Sequence, residues 1–137
     1  MMSQSQSNLR IKIQLYGIGT LKAKIKRHLA PITIDKFLQK LPLVLRGRFS
    51  FKSKKYWTLP EVDIRKGLNE SATKEVNEGD IVYNPKTDEI LIILEDQTLP
   101  NKVNKMGKII KNLPLVLKAR NGLSTKISLL KTQKSSQ

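Results

Sequence analysis

Apolar and polar residues alternate at the start of the chain. Leu9, Ile11, Ile13 and Leu15 are separated by polar side chains, and Leu21, Ala23 and Ile25 by Lys22, Lys24 and Lys26. A period of two sends successive side chains to opposite faces of a strand. Gly17 and Gly19 between the runs supply a turn. The pattern predicts an antiparallel hairpin with one apolar face and one wet, strongly basic face.

The period then changes. After Ala30-Pro31, the residues Ile34, Phe37, Leu38 and Leu41 fall at the i, i+3, i+4, i+7 spacing of one helical stripe, with Thr33 as the expected cap and Pro42 as a stop. A short helix here would plug one end of a sheet. Apolar and aromatic runs at 43–51, 54–59, 80–84 and 89–95 are separated by Gly, Asn, Asp and Pro and read as strands, with Asn84-Pro85-Lys86-Thr87-Asp88 as a hairpin turn. Residues 60–79 read as a long polar excursion. A strand over Val103–Ile110, a helical turn over Pro114–Arg120 closed by Asn121-Gly122, and a strand carrying Leu123, Thr125, Ile127 and Leu129 complete the chain. About eight strands and one or two short helices predict a mainly β fold, a closed antiparallel barrel, because closure removes edges that would otherwise aggregate.

Composition sets the bounds. A chain of 137 residues, 39% hydrophobic, buries one core of ordinary size, so one domain is expected over 9–131. Residues 1–8 and 132–137 are almost without apolar side chains and are expected as disordered tails. No cysteine is present, which removes disulfides, thiolate metal sites and cysteine nucleophiles. The chain has neither a membrane-length apolar run nor the start of a secretory signal, so a soluble, cytoplasmic monomer is the expectation.

Charge changes the picture more. Residues 1–66 hold 15 Lys and Arg against 3 Asp and Glu, residues 67–100 hold 2 against 8, and residues 101–137 hold 9 against none. Two basic arms flank an acidic middle, and the net charge of +15 attracts polyanions at low salt. A Lys-rich surface serving solubility or heat adaptation is the competing account.

Candidate chemistry is sparse. His28 is the only histidine, which excludes a His-rich metal site and leaves a Ser-His-Asp arrangement resting on one residue. Asp88-Glu89 and Glu95-Asp96 are adjacent acids, which point to opposite faces of a strand. No metal and no cofactor is expected. Tyr56-Trp57, with Lys54 and Lys55 before it, is a basic segment with interleaved aromatics, the composition that stacks bases while neutralising phosphates. Alternation allows only one of the two rings to reach a surface groove. Tyr56, Arg46 and Arg48 are the candidate lining of a pocket for an anionic or planar ligand. Lys22, Lys24, Lys26, Lys54 and Lys55 are the candidate nucleic-acid contacts.

Ala30-Pro31-Ile32-Thr33-Ile34-Asp35-Lys36-Phe37-Leu38 is similar to the first-helix segment of cyclophilins. Gly79-Asp80-Ile81-Val82-Tyr83-Asn84-Pro85 and Val103-Asn104-Lys105-Met106-Gly107-Lys108-Ile109, with Arg46-Gly47 and Tyr56 upstream, resemble the cyclophilin-like β-barrel family of small archaeal and bacterial proteins. The resemblance spans about residues 9–130 and implies an eight-stranded barrel. The prolyl isomerase residues are largely absent, with Arg46 and Arg48 the nearest candidates for the arginine that cyclophilins use. Cyclophilins carry Phe-His-Arg followed by Gln-Gly-Gly, whereas this chain has Leu45-Arg46-Gly47-Arg48-Phe49 and Phe51-Lys52-Ser53-Lys54-Lys55 with no Gln-Gly-Gly after either. The expected function is binding of an unidentified peptide or small ligand. The alternatives are a nucleic-acid-binding basic barrel and a weak peptidyl-prolyl isomerase.

Overall fold

The structure is a computed structural model that describes residues 8–50 and 53–130. The expected tails, apart from Asn8, and the residues Phe51 and Lys52 lie outside the described residues. Strands β1 (Asn8–Leu15) and β2 (Gly19–Lys26) form the predicted hairpin, in register from Asn8 opposite Lys26 to Leu15 opposite Gly19. Asn8, assigned from sequence to the leading tail, is therefore the first residue of β1. Helix α1 (Pro31–Lys40) follows a short 3-10 turn and buries Ile34 and Phe37 in the core. Strands β3 (Leu43–Arg46), β4 (Arg48–Phe49) and β5 (Tyr56–Leu59) come next. They are followed by β6 (Thr73–Val76), β7 (Asp80–Asn84) and β8 (Glu89–Ile93). The long β9 (Gln97–Lys111), a 3-10 turn (Leu113–Lys118) and β10 (Ser124–Leu129) end the fold.

All pairings are antiparallel, and the ladder runs β3-β10-β1-β2-β9-β7-β8-β5-β4, with β6 on β9. The sheet is open. Its two ends, β3 and β4, are consecutive in the chain but do not pair with each other, so the expected closed barrel of about eight strands is corrected to an open sheet of ten. The run expected as one strand over 43–51 breaks at Gly47, whose amide donates to the Leu123 carbonyl and whose carbonyl accepts from Gly122 N–H. A Cβ at position 47 would lie inside the Trp57 indole. The glycine is where the ring packs against bare backbone.

One face of the sheet lines the main core with Ile11, Ile13, Leu21, Ile25, Trp57, Ile81, Tyr83 and Ile92, and α1 closes over it. A second, smaller cluster of Val76, Val82, Leu91, Ile93, Leu99 and Val103 covers the opposite face of β7 and β8, with Tyr56 packed against it. Both faces of this part of the sheet are thus dry, which accounts for the near-continuous apolar runs there.

Two expectations about connections change. Thr33 does not cap α1: Ala30 occupies the cap without a side-chain hydrogen bond, and buried Thr33 accepts instead from Asn104 Nδ2 at 3.1 Å. Asn104, wholly buried, also donates to the Gly67 carbonyl and accepts from Asn69 N–H, tying the helix to the 60–79 segment. That segment holds strand β6 and is not uniformly polar. Glu61, Asp63 and Arg65 take left-handed backbone conformations with φ of 56, 60 and 52°, and between them Val62 and Ile64 turn into the core at 1% exposure each.

Left-handed conformations at non-glycine residues cost roughly 1–2 kcal/mol each, so something must hold them. The Asp88 carboxylate does. One oxygen accepts from Ile64 N–H, Arg65 N–H and the Tyr83 hydroxyl, and the other from Asp63 N–H at 2.8 Å. Burial raises the Asp88 carboxyl, but the Tyr83 hydroxyl and the three amides outweigh it and hold the group below its ordinary value. Burial, with the same hydrogen bond, pushes Tyr83 up to about 12. Hydrogen bonds from Lys40 and Arg65 hold the exposed Asp63 carboxyl at about 2.

A carboxyl whose folded value is depressed contributes stability above the unfolded value near 3.9, and the contribution disappears as pH falls below it. In Asp88→Asn one oxygen remains for Ile64 and Arg65, but an amide NH₂ then meets the Asp63 N–H donor to donor. We predict a loss of about 2 kcal/mol at neutral pH. Urea midpoints should show this difference constant from pH 7 to 5 and shrinking towards pH 3; a difference unchanged at pH 3 would exclude the ionised clamp.

Candidate functional site

The candidate residues divide between two places on the outer side of the sheet. Lys22 and Lys24 stand on the wet face of β2, as alternation predicts, directly opposite Lys12 and Arg10 of β1. Lys26 follows them on the same face. On the other flank of β2, Lys22 faces Lys111 and Lys24 faces Lys108 of β9. Beyond β1, Lys126 of β10 lies opposite Gln14, and Arg46 of β3 lies opposite Ser124. Five neighbouring strands thereby present nine cations on one surface. None of the five contains an Asp, a Glu or an aromatic residue. Among the described residues only Lys108 of the nine has an acidic partner, Asp80, at 3.8 Å.

Lys54 and Lys55 do not join this surface. Lys54 Nζ donates to the Leu117 carbonyl at 2.9 Å and sits 5.0 Å from the centre of the Phe49 ring. Lys55 precedes β5, and its carbonyl accepts from Leu94 N–H and Gln97 Nε2.

The second place is a cleft of about 300 Å³ over the outer side of β4, β5 and β8. Arg48 and Tyr56 both line it, with Thr58, Asn84, Glu89 and Asn101 among the polar walls and Leu91 and Leu99 in the floor. Arg46 is absent from this lining, so the sequence-based trio is split: Arg46 belongs to the basic face. Alternation decides between the two aromatics. Trp57 is fully buried, in edge-to-face contact with Phe49 at 4.8 Å, and Tyr56 is half-buried at the cleft. Arg48 Nη2 donates to Glu89 Oε2 at 2.8 Å, and Glu89 also accepts from Thr87 Oγ1. The pair leaves the cleft close to neutral.

The two places adjoin. Arg46 and Arg48 are exposed on either side of buried Gly47, so both project away from the core across the gap between β3 and β4. On the far side of the cleft, Pro100 and Asn101 border a second hollow flanked by Lys74, Lys86 and Lys102.

Other sequence candidates have structural duties. His28 is exposed on the 3-10 turn after β2. Asp88 clamps the 61–65 backbone, Glu89 holds Arg48, and Asp96 accepts from Glu78 N–H. Among the described residues no helix is long and apolar enough to cross a membrane. Arg10, Lys12, Lys108, Lys111 and Lys126 were not singled out from sequence; an excess of Lys on alternate positions was the only available signal.

No family model matches the chain, and no curated protein matches it. Solved structures do. The hypothetical protein AF2241 from Archaeoglobus fulgidus is 16% identical with a TM-score of 0.70, covering 89% of this chain and 95% of its own. McbB, solved in complex with tryptophan, gives a TM-score of 0.72 at 11% identity over 92% of this chain, which spans 46% of that protein. The Mimivirus cyclophilin gives 0.54 at 14% identity over 89% of this chain and 87% of its own. Identities this low carry the fold alone, a mainly β architecture that a cyclophilin is among those to share.

Proposed function

We propose that the protein binds the phosphate backbone of nucleic acid on the outer face of β1, β2, β3, β9 and β10. The observation that carries this reading is that the five strands of this face contain no acid, with Asp80 of β7 meeting, of the nine cations, only Lys108 at its border. Lys12 with Lys22, Arg10 with Lys24, Lys24 with Lys108 and Lys22 with Lys111 are directly opposed like charges, an arrangement that destabilises a sheet. A surface kept for solubility would intersperse carboxylates among them, and 11 are present elsewhere in the chain. Successive outward side chains stand about 6.8 Å apart along a strand and about 4.8 Å between strands, which gives a dense grid of positive charge. With no aromatic on the five strands the grid neutralises phosphates without reading bases.

A labelled mixed-sequence oligonucleotide followed by anisotropy tests this. If about six phosphates are engaged, log affinity falls against log salt with a slope near −5 for duplex and −4 for single strands, a loss of about 10³-fold between ~50 and ~200 mM for duplex. Absence of binding at ~50 mM salt removes the reading.

A second reading, binding of an unidentified peptide or small ligand, is supported by the cleft in which Arg48 and Tyr56 meet. Weak prolyl isomerisation draws less support, because the Arg48 guanidinium is engaged by Glu89.

A further inference from the structure

The cleft beside Tyr56 adjoins the basic face, and that continuity narrows what it holds. From Arg46 the outer surface passes over Gly47 to Arg48, then into the cleft, then past Asn101 to the hollow bearing Lys74, Lys86 and Lys102. A ligand lying along this line meets cations, a near-neutral pocket, and cations again. A polyanion with a planar, uncharged, hydrogen-bonding group inserted between its charges has that sequence of properties.

We infer that the cleft receives one unpaired nucleobase of a single strand whose phosphates run from the basic face towards Lys86 and Lys102. This rests on the proposed backbone binding and adds a site to it. The chemistry of the walls suits a base. Among the described residues Tyr56 and Phe49 are the aromatic side chains lining the cleft, and base–aromatic stacking tolerates any sequence. Asn84 and Asn101 carry amides of the kind that pair with base edges, and Thr58 adds a hydroxyl. Tyr56 Oη and the Asn101 amide make no side-chain hydrogen bond among the described residues, whereas Asn84 Oδ1 is already engaged by Lys86 N–H. The neutral Arg48–Glu89 pair neither repels a base nor attracts a free phosphate into the floor. A base paired within a duplex cannot reach such a pocket without unpairing, so the cleft selects for single strands.

The test compares a labelled single-stranded octanucleotide, its counterpart with abasic sites, and a duplex of the same length, each with the wild type, Tyr56→Leu, Tyr56→Phe and Lys22→Gln/Lys24→Gln. Thermal melts establish that each variant is folded. Tyr56→Leu should weaken the intact single strand about 5- to 30-fold and leave the abasic strand, the duplex and the salt slope unchanged. Tyr56→Phe should retain binding. Lys22→Gln/Lys24→Gln should weaken all three nucleic acids alike. If Tyr56→Leu binds the intact single strand as the wild type does while the lysine variant loses affinity, the cleft takes no base and the backbone reading stands. If no oligonucleotide binds at all, the backbone reading fails. The cleft is then tested by titrating adenosine and uridine to about 10 mM against the amide resonances of Tyr56, Thr58 and Asn101. Unmoved resonances overturn the inference, and saturable shifts confined to them uphold it.

Discussion

Gly107→Ala should unfold the protein or come close to it. Gly107 lies in two ladders at once, opposite Ile25 of β2 and Ile81 of β7. A Cβ there would overlap the Lys24 carbonyl oxygen and approach Ile25 Cα at 2.9 Å. Those atoms are backbone, so no rotamer change relieves the clash; either β2 moves away from β9 or the peptide plane tilts, and each costs ladder hydrogen bonds. Overpacking of a core typically costs 1–3 kcal/mol where side chains can give, and about 3 kcal/mol or more is expected here. Gly67→Ala is the control. Nothing lies within 4 Å of a Cβ at Gly67, and replacing glycine at an unstrained position is neutral or stabilises by about 0.5 kcal/mol. Urea unfolding of both variants checks the pair. Equal stabilities would mean that β2 and β9 are not packed as closely as their register requires.

Lys12→Gln/Lys22→Gln/Lys24→Gln should lose nucleic-acid affinity and gain stability together. Each neutralised phosphate contact lowers the duplex salt slope by about 0.9, so three lower it by about 3 and reduce affinity on the order of 10³-fold at ~50 mM salt and 10²-fold at ~200 mM. Every one of the four opposed like-charge pairs contains at least one of these lysines. Relief of that repulsion should raise stability by about 1 kcal/mol at low salt, with the gain fading as salt screens the charges. Stability withheld for function is the pattern expected of a binding surface. A variant that binds as well as the wild type would assign the charge to general surface chemistry, whatever its melting temperature.

Local periodicity carried much of the fold. The β1–β2 hairpin, the α1 stripe through Ile34 and Phe37, and the strand at the chain's end are all visible as periods of two or 3.6. What escaped were features whose cause lies across the structure. Gly47 breaks the run at 43–51 because Trp57, ten residues on, needs its missing side chain. Val62 and Ile64 reach the core only because left-handed neighbours turn them inward, and the carboxylate that holds that shape belongs to Asp88. Strand β6 has little apolar signal of its own and takes its pairing from β9. The candidate site shows the same division. Lys22, Lys24 and Lys26 were legible as one strand's face, while Arg10, Lys12, Lys108, Lys111 and Lys126 join them through register, which composition does not encode. Arg46 and Arg48 were grouped by nearness in sequence, and the break at Gly47 assigns them to different surfaces.

The same break determines how the interior is kept dry. Where β3 and β4 part, no row of ladder hydrogen bonds joins the two ends of the sheet among the described residues; the Gly47 peptide bridges the opening to Leu123 and Gly122, and Phe49 N–H donates across it to Asn121 Oδ1. The indole of Trp57 lies flush behind that peptide, with its Nε1–H donated to Thr125 Oγ1 at 3.3 Å. The ring therefore fills the seam from the inside, where backbone pairing is thinnest, and a smaller side chain at position 57 would leave a void directly behind the Gly47 peptide.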